Sequence, residues 1–264
     1  MRKKLGLALG AGGSRGVAHI GFLQALEEAD IRADFVTGCS MGAVVGACYS
    51  AGVSPDTMKD IALKLKFGDL ASLNPAPLRR NGFLKPKKVR KLLAGIIGEK
   101  EFDELGVPFS CVATDLIAGR TVVLNEGNVV DAVVASSSIP GAFTPAKLGD
   151  FEMLVDGGIL ERVPTQQLKK MGAEVIVAVD VLGDLALSKR PSGHLLNTVL
   201  RCIDIMDTKR THAKREARKY VDLWLEPELG DMDQYKVKNL TFAYERGYEL
   251  GRAHTDEIAE LIGE

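Results

Sequence analysis

Short apolar runs alternate with segments of helical periodicity along the first part of the chain. Within residues 17–29, Ile20, Leu23 and Leu26 recur at the spacing of a helix. Strands that are covered on both faces are apolar throughout, and strands that alternate with helices form parallel sheets. The pattern therefore predicts an α/β fold with a mostly parallel sheet flanked by helices. Its strands include the apolar runs 4–9, 35–37 and 174–181.

Residues 67–84 interrupt this alternation. Prolines and a glycine fall within them without periodicity, which predicts a long loop. Long irregular loops in compact domains often serve as lids or binding loops. The chain shows no internal repeat and no linker. We therefore expect a single domain over 1–264, with a flap at 67–98.

Composition and charge narrow the class of protein. Of the 264 residues 46% are hydrophobic, and 34 lysines and arginines balance 35 aspartates and glutamates. This apolar content excludes a disordered chain. The near-zero net charge argues against nucleic acid as a partner, since phosphate binding needs a basic surplus. The length suits one large α/β domain or two small ones, and the sequence gives no signal of oligomeric state.

The cysteines and the N-terminus favour a cytoplasmic protein. The four cysteines form no CxxC pair and have no histidine at metal-ligand spacing, as expected for reduced thiols. The apolar stretch 5–9 is very short and runs directly into a glycine-rich segment, so it resembles a buried strand more than a signal peptide. No apolar run approaches the roughly 18 residues that cross a bilayer. No calcium loop or metal-ligand cluster is present, and we expect no cofactor.

The first chemical motif is Gly38-Cys-Ser-Met-Gly42, a GxSxG between a short strand and a predicted helix over 41–50. A nucleophile elbow places its serine in a sharp strand-to-helix turn, where side chains on the flanking residues would clash. The following helix directs its N-terminal dipole at the serine. The motif thus indicates Ser40 as a nucleophile flanked by Gly38 and Gly42. The alternative is a plain glycine-rich turn in which Ser40 caps the helix.

The second motif is Gly10-Ala-Gly-Gly-Ser-Arg-Gly16, also between a strand and a helix. Consecutive glycines let backbone N–H groups converge on a phosphate, or on the oxyanion that forms when a serine attacks an ester. The dinucleotide-binding fingerprint GxGxxG fits less well. Arg15 stands where that fingerprint needs glycine, and Asp34 precedes the second strand instead of closing it.

The third motif is Asp156-Gly157-Gly158, which follows a predicted strand over 151–155. Asp-Gly is a favoured turn pair, so an ordinary turn is one interpretation. The other makes Asp156 the base for Ser40. A free carboxylate is a weak base for a hydroxyl, and Asp156 would need a partly dry, apolar setting.

The order of these three motifs on an α/β chain resembles the patatin-like phospholipase family. The segment from Ala135 to Pro145 is also similar to the family segment ahead of its DGG turn, and the likeness covers residues 5 to about 181. The resemblance implies a three-layer fold and a Ser–Asp dyad that hydrolyses lipid acyl esters without histidine. Many members carry an Asn shortly after DGG, where this chain reads Ile-Leu-Glu-Arg-Val-Pro over 159–164. The implied roles are nucleophile Ser40, base Asp156 and an oxyanion loop of Gly10, Gly12, Gly13, Arg15 and Gly16.

Two alternatives stay open at this point. An α/β-hydrolase triad has the chain order Ser, Asp, His, and His194 lies in a predicted loop after Asp156, whereas His212 and His254 lie in predicted helices. The other alternative, from a different class, is a lipid- or nucleotide-binding regulatory protein in which the dyad is incidental.

The charges are distributed unevenly along the chain. Residues 79–98 contain seven basic side chains and no acidic one, and a second basic cluster spans 209–219. Residues 222–264 offset them with eleven acidic and four basic side chains. The simplest interpretation is a solvated surface. The functional interpretation is a flap that contacts anionic lipid headgroups and seats an acyl chain, which gives peripheral contact with the inner membrane face.

Overall fold

A computed structural model describes residues 1–65, 72–73, 82–183, 195–216 and 220–264 of the chain. Its helices are α1 (Ala18–Glu28), α2 (Met41–Ser50), α3 (Pro55–Lys64), α4 (Lys87–Ile97), α5 (Val129–Ser136), α6 (Thr165–Met171), α7 (Leu195–Glu216) and α8 (Leu240–Ile262). Its strands are β1 (Leu5–Leu9), β2 (Phe35–Gly38), β3 (Ser72–Leu73), β4 (Gly82–Lys85), β5 (Phe109–Asp115), β6 (Arg120–Leu124), β7 (Gly141–Phe143), β8 (Ala146–Leu148), β9 (Phe151–Asp156), β10 (Val175–Val179) and β11 (Leu223–Leu225).

An eight-stranded sheet has the order β11-β10-β1-β2-β5-β9-β8, with β6 also paired to β5. Strands β11, β10, β1, β2 and β5 pair in parallel, whereas β6, β8 and β9 pair antiparallel. Strands β3, β4 and β7 form a smaller sheet. The expected α/β fold with a mostly parallel sheet is confirmed.

Alternate residues of β1 enter two different cores, which places helices on both sides of the sheet. Leu5, Leu7 and Leu9 belong to the larger core, together with apolar residues of α1, α2 and α8. Ala8 belongs to a smaller core with Leu168 of α6. Successive side chains of a strand point to opposite faces, so the sheet lies between two helical layers.

The region of the predicted flap contains regular structure within its described part. Residues 66–71 and 74–81 lie outside the described residues, but Gly82–Lys85 form β4 and pair in parallel with β7. The expectation of a loop through Leu84 is therefore wrong at its C-terminal end. Helix α4 follows and buries Leu93 and Ile97. An apolar stripe among the basic residues explains this helix, because it gives the segment a face to pack.

The C-terminal part of the chain passes beside the glycine-rich loop. The backbone N–H of Ser14 donates to the carbonyl of Gln234 at 2.9 Å, and the hydroxyl of Ser14 donates to the carbonyl of Asp233 at 3.1 Å. Helix α8 then packs against α1 so closely that a Cβ on Gly247 would lie 1.9 Å from the carbonyl oxygen of Ala18. Among the described helices, none is both long and apolar enough to cross a bilayer.

Candidate active site

Two strands end at neighbouring points along one edge of β5. Strand β2 pairs in parallel with β5 and ends at Gly38, opposite Cys111. Strand β9 runs antiparallel and ends at Asp156, opposite Ala113. Since β6 pairs with both Cys111 and Ala113, it occupies the other edge of β5. The two chain segments therefore meet, and Ser40 comes close to Asp156 across the sheet edge.

Ser40 occupies a sharp turn between β2 and α2. Its backbone has φ 54° and ψ −120°, a left-handed conformation that costs free energy in a residue with a side chain. Neither of the flanking glycine positions has room for a side chain. A Cβ on Gly42 would lie 2.1 Å from the carbonyl oxygen of Leu9, and one on Gly38 would lie 2.4 Å from that of Gly42. The GxSxG segment thus has the geometry of a nucleophile elbow.

Asp156 is buried beside this serine. The two side chains line the same small cavity, and the Ser40 hydroxyl lowers the pKa of the carboxyl. The N–H of Gly158 donates to Asp156 Oδ1 at 2.9 Å, and the thiol of Cys39 lies 3.8 Å from the same oxygen. Burial raises the pKa of Asp156 from 3.8 to about 6, against the lowering effect of these bonds. The carboxylate is thus ionised at neutral pH and is a stronger base than an exposed one.

Ser136 is a contributor that the sequence motifs did not reveal. Its Oγ accepts from the backbone N–H of Ser40 at 3.0 Å and donates to the carbonyl of Val112 at 2.7 Å. A Cβ on Gly157 would lie 2.4 Å from that same carbonyl oxygen. The buried hydroxyl therefore holds the backbone of the elbow at β5, and Gly157 keeps the aspartate turn close to it.

Hydrogen bonding separates the backbone N–H groups of the glycine-rich loop into two sets. Within the described parts of the chain, no backbone acceptor is bonded to the N–H of Gly12 or Gly13, and both residues line a cavity with Ser40 and Asp156. The N–H groups that do bond are those of Gly10 to Val179 (2.9 Å), Ala11 to Arg162 (3.0 Å), Ser14 to Gln234 (2.9 Å) and Arg15 to Gly12 (3.0 Å).

The end of the loop packs against the elbow. A Cβ on Gly16 would lie 2.3 Å from Met41 Cγ, so only glycine lets the two segments approach. His19 lies 2.8 Å through Nε2 from the carbonyl oxygen of Gly10, which can only accept. Burial lowers the pKa of His19 to about 4, and the ring is therefore a neutral donor that supports the loop. Arg15 is buried as well, and burial lowers the pKa of its guanidinium.

Two cavities of opposite character meet at Ser40. One of about 480 Å³ is lined almost entirely by apolar side chains from α2, α3, α4 and α5, among them Val44, Leu93 and Val134. The other is about 60 Å³ and contains Asp204, Asp207 and Arg162 along with Asp156. The volume of the larger cavity lies within the usual range of pockets that bind small molecules. The site can therefore hold a long apolar group on one side of the serine and a small polar group on the other.

Arg162 occupies the region where this chain departs from the Asn of many patatin-like sequences. Its guanidinium is fully buried and bonds to Asp180 at 2.6 Å and to Asp207 of α7 at 2.8 Å. Its backbone carbonyl accepts from the N–H of Ala11. Burial raises the pKa of Asp207 to about 6, although the neighbouring guanidinium lowers it. This one residue connects the aspartate turn, the glycine loop and α7.

None of the three described histidines lines a cavity with Ser40. Neither His212 nor His254 lines either cavity, and Nδ1 of His254 is 2.9 Å from the carbonyl of Leu250 within α8. His194 lies outside the described residues. Across the described ranges, no group of three or more His, Cys, Asp or Glu side chains could hold a metal ion.

A parallel α/β sheet that presents a serine on a strained strand-to-helix turn belongs to the architectural class of serine-hydrolase folds. A family model described as patatin-like phospholipase matches residues 7–169. The chain belongs to the patatin-like phospholipase family.

The curated relatives of the chain agree with this assignment. An uncharacterized NTE family protein of Mycobacterium tuberculosis is 36% identical over 183 residues, which are 69% of this chain and 50% of that protein. Patatin-like phospholipase domain-containing protein 6 of Mus musculus is 31% identical over 183 residues, 67% of this chain and 13% of that protein. The chain spans about half the length of the mycobacterial relatives it matches.

The similarity to solved structures concerns the fold alone. VipD from Legionella pneumophila matches 97% of this chain and 67% of its own, with a TM-score of 0.56 and 13% sequence identity. The type III effector protein ExoU matches 97% of this chain and 53% of its own, with a TM-score of 0.52 and 13% identity. The three-layer patatin-like architecture is thereby confirmed.

Proposed function

We propose that the chain is a serine hydrolase of lipid acyl esters, with Ser40 as nucleophile and Asp156 as its base. The observation that carries this proposal is that Ser40 and Asp156 line the small polar cavity together and that Ser40 also lines the apolar cavity. The family supports a lipid as substrate.

In the first step Asp156 accepts the hydroxyl proton as Ser40 Oγ attacks the ester carbonyl carbon. The raised pKa of the aspartate brings it closer to neutral pH, where proton transfer is more effective. Collapse of the tetrahedral intermediate breaks the bond to the alcohol, which takes the proton from Asp156 as it leaves. The acyl group remains on Ser40.

The N–H groups of Gly12 and Gly13 are assigned to the oxyanion. Those of Gly10 and Arg15, which the sequence resemblance included, already donate to Val179 and Gly12. Gly12 and Gly13 border the serine in the polar cavity, whereas Gly16, the fifth residue that the resemblance included, does not line that cavity. Each preorganised donor of this kind contributes about 3–4 kcal/mol to a transition state.

In the second step Asp156 removes a proton from water, which attacks the acyl carbonyl carbon. Collapse of this intermediate breaks the bond to Ser40 Oγ, which takes the proton back from Asp156, and the carboxylic acid is released. The apolar cavity accommodates the acyl chain, since most of the side chains that line it are apolar and Ser40 is among its lining residues. The small polar cavity accommodates the alcohol or the incoming water. The exposed Lys87 and Lys91 at the start of α4, whose inner face lines the apolar cavity, fit the predicted contact with anionic headgroups.

A fluorophosphonate label followed by peptide mapping tests the nucleophile. We expect modification at Ser40 in the wild type and its loss in Ser40→Ala. Hydrolysis of a long-chain p-nitrophenyl ester should fall to background in Ser40→Ala and Asp156→Asn. The His212→Ala/His254→Ala variant should retain most activity, because neither ring faces the site. Equal rates for wild type and Ser40→Ala would exclude the proposal.

A further inference from the structure

The outward face of α7 is unusual for a solvent-facing surface. Three aliphatic side chains on it are exposed, with Val199 and Ile205 at 47% and Met206 at 67%. They recur at the spacing of one helix face, together with an exposed cysteine. We call this set the α7 outer face: Val199, Cys202, Ile205, Met206, Lys209 and Arg210.

The charges of this face are positive. Lys209 and Arg210 are exposed and follow the aliphatic residues by one turn. Tyr235, itself 39% exposed, lies beside α7, because its hydroxyl donates to Asp204 at 2.8 Å. The residue after it, Lys236, is exposed and pairs with Asp233 at 2.9 Å, so Lys209 and Arg210 supply the positive charge of the face. An aliphatic stripe with basic residues and a tyrosine at its border is the composition of helices that lie in a lipid–water interface.

The opposite face of α7 forms a wall of the candidate active site. Leu200 lines both cavities and Ile203 lines the polar one. Asp207 anchors the helix through Arg162 to the loop and turn that surround Ser40. The α7 outer face is therefore separated from the serine by the thickness of a single helix.

We propose that the α7 outer face docks on an anionic lipid surface and holds the cavities one helix away from the lipid. The proposal rests on the proposed lipid hydrolase function and adds the surface by which the substrate is approached. Aliphatic side chains enter the acyl region, while Lys209 and Arg210 contact headgroup phosphates. The positive charge favours this occupant over an aliphatic protein groove, which offers no partner for the two cations.

Vesicle binding tests the docking independently of hydrolysis. Ser40→Ala protein is sedimented with vesicles of phosphatidylcholine containing a minority of phosphatidylglycerol, and with vesicles of phosphatidylcholine alone. We expect Lys209→Gln/Arg210→Gln to weaken binding to the anionic vesicles by roughly 20-fold, at about fivefold for each cation. Val199→Ser/Met206→Ser should weaken binding to both kinds of vesicle. The matched control is Ile117→Ser on the β5–β6 turn, because Ile117 is 67% exposed, as Met206 is.

Cys202 supplies a second readout at the face itself. It is the exposed cysteine, whereas Cys39, Cys48 and Cys111 are buried, so an environment-sensitive thiol dye reports on α7. We expect a blue shift of its emission on anionic vesicles. A shift that depends on protein concentration without vesicles would instead assign the face to a second copy of the chain. Equal losses from the α7 variants and Ile117→Ser would also overturn the proposal.

The two proposals fail in different ways. Hydrolysis of a soluble short-chain ester, measured in the Ser40-containing protein, should be unchanged by the α7 variants because their side chains point away from the cavities. Ester hydrolysis without vesicle binding removes the docking proposal and leaves the enzyme. Vesicle binding with no fluorophosphonate label at Ser40 removes the enzyme proposal and leaves the docking surface.

Discussion

The guanidinium of Arg162 and the carboxylate of Asp207 form an ion pair that is buried, with Nη1 2.8 Å from Oδ2. A second carboxylate, Asp180, contacts the same guanidinium at 2.6 Å. One positive charge therefore compensates two negative ones, and all three side chains are at most 7% exposed. Through this pair the long helix α7 is fixed to the turn that follows Asp156.

Arg162→Met should destabilise the protein strongly. It removes the positive charge and leaves two carboxylates buried without their partner, a change that costs about 3–5 kcal/mol. Urea unfolding at neutral pH measures the loss. Lys147→Met removes a cation from an exposed pair with Glu152 and should cost at most about 1 kcal/mol. Similar small losses in both variants would mean that the buried network contributes little.

The rate of ester hydrolysis should fall as the pH decreases through about 6. Burial raises the pKa of Asp156 to that value, and only the ionised carboxylate can accept the proton of Ser40. A pH profile of kcat/KM with a soluble ester measures the apparent pKa of the free enzyme. A profile that stays flat down to pH 5 would contradict the assignment of Asp156 as base.

Asp156→Asn should be inactive and yet more stable than the wild type at pH 8. The native carboxyl binds its proton more tightly than the unfolded one, so wild-type stability decreases as the pH rises from about 4 to about 6. The asparagine variant lacks this loss and should gain up to about 3 kcal/mol. Urea unfolding across this range gives the comparison. Ser40→Ala is equally inactive but keeps the carboxyl, so its stability should still decrease with pH.

Gly42→Ala and Gly95→Ala should have opposite effects although the chemical change is the same. At position 42 the new Cβ would lie 2.1 Å from the carbonyl oxygen of Leu9, and the elbow cannot form without a backbone shift. At position 95, in α4, nothing lies within 4 Å of a new Cβ. Alanine there should stabilise the helix by about 0.5–1 kcal/mol. Thermal unfolding and fluorophosphonate labelling together report fold and elbow.

Ser136→Ala should reduce turnover more than substrate affinity. The change leaves the N–H of Ser40 and the carbonyl of Val112 without their bonds to Oγ, at a cost of about 1–3 kcal/mol. The effect on kcat should exceed the effect on KM, because the hydroxyl positions the nucleophile without lining either cavity. Ser138→Ala removes a buried hydroxyl that bonds only within its own segment, to Val134. It should leave kcat nearly unchanged.

The sequence predicted the features that depend on local backbone geometry. The turn at Ser40 leaves no room for side chains two residues before and after it, so the local sequence must carry glycine at both positions. The structure has its sharp strand-to-helix turn at the motif that predicted it. The start of α3 also has a local cause, since the hydroxyl of Ser54 accepts from the N–H of Thr57 and a proline occupies the first helical position. Such signals lie within a few residues of the structure that they determine.

Features that depend on distant partners were missed. Ser136 and Arg162 lie in segments whose sequence gives no sign of their roles, because the roles come from Ser40, Asp180 and Asp207 far along the chain. The glycine loop illustrates the same limit. Its sequence could not show which N–H groups are used by Val179 and Gln234. The contact of the Cys39 thiol with the carboxylate of Asp156 is another such feature, since 117 positions separate the two residues.

The closure of the glycine loop by distant carbonyls bears on attempts to isolate a minimal enzyme. Every residue of the three motifs lies within the first 158 positions, and the family match ends at 169. The carbonyls of Val179 and Gln234, which hold the N–H groups of Gly10 and Ser14, lie beyond that point. A fragment trimmed to the matched region would carry all the chemistry and lose the scaffold that shapes it. A minimal enzyme must therefore retain the segments that contain Val179 and Gln234.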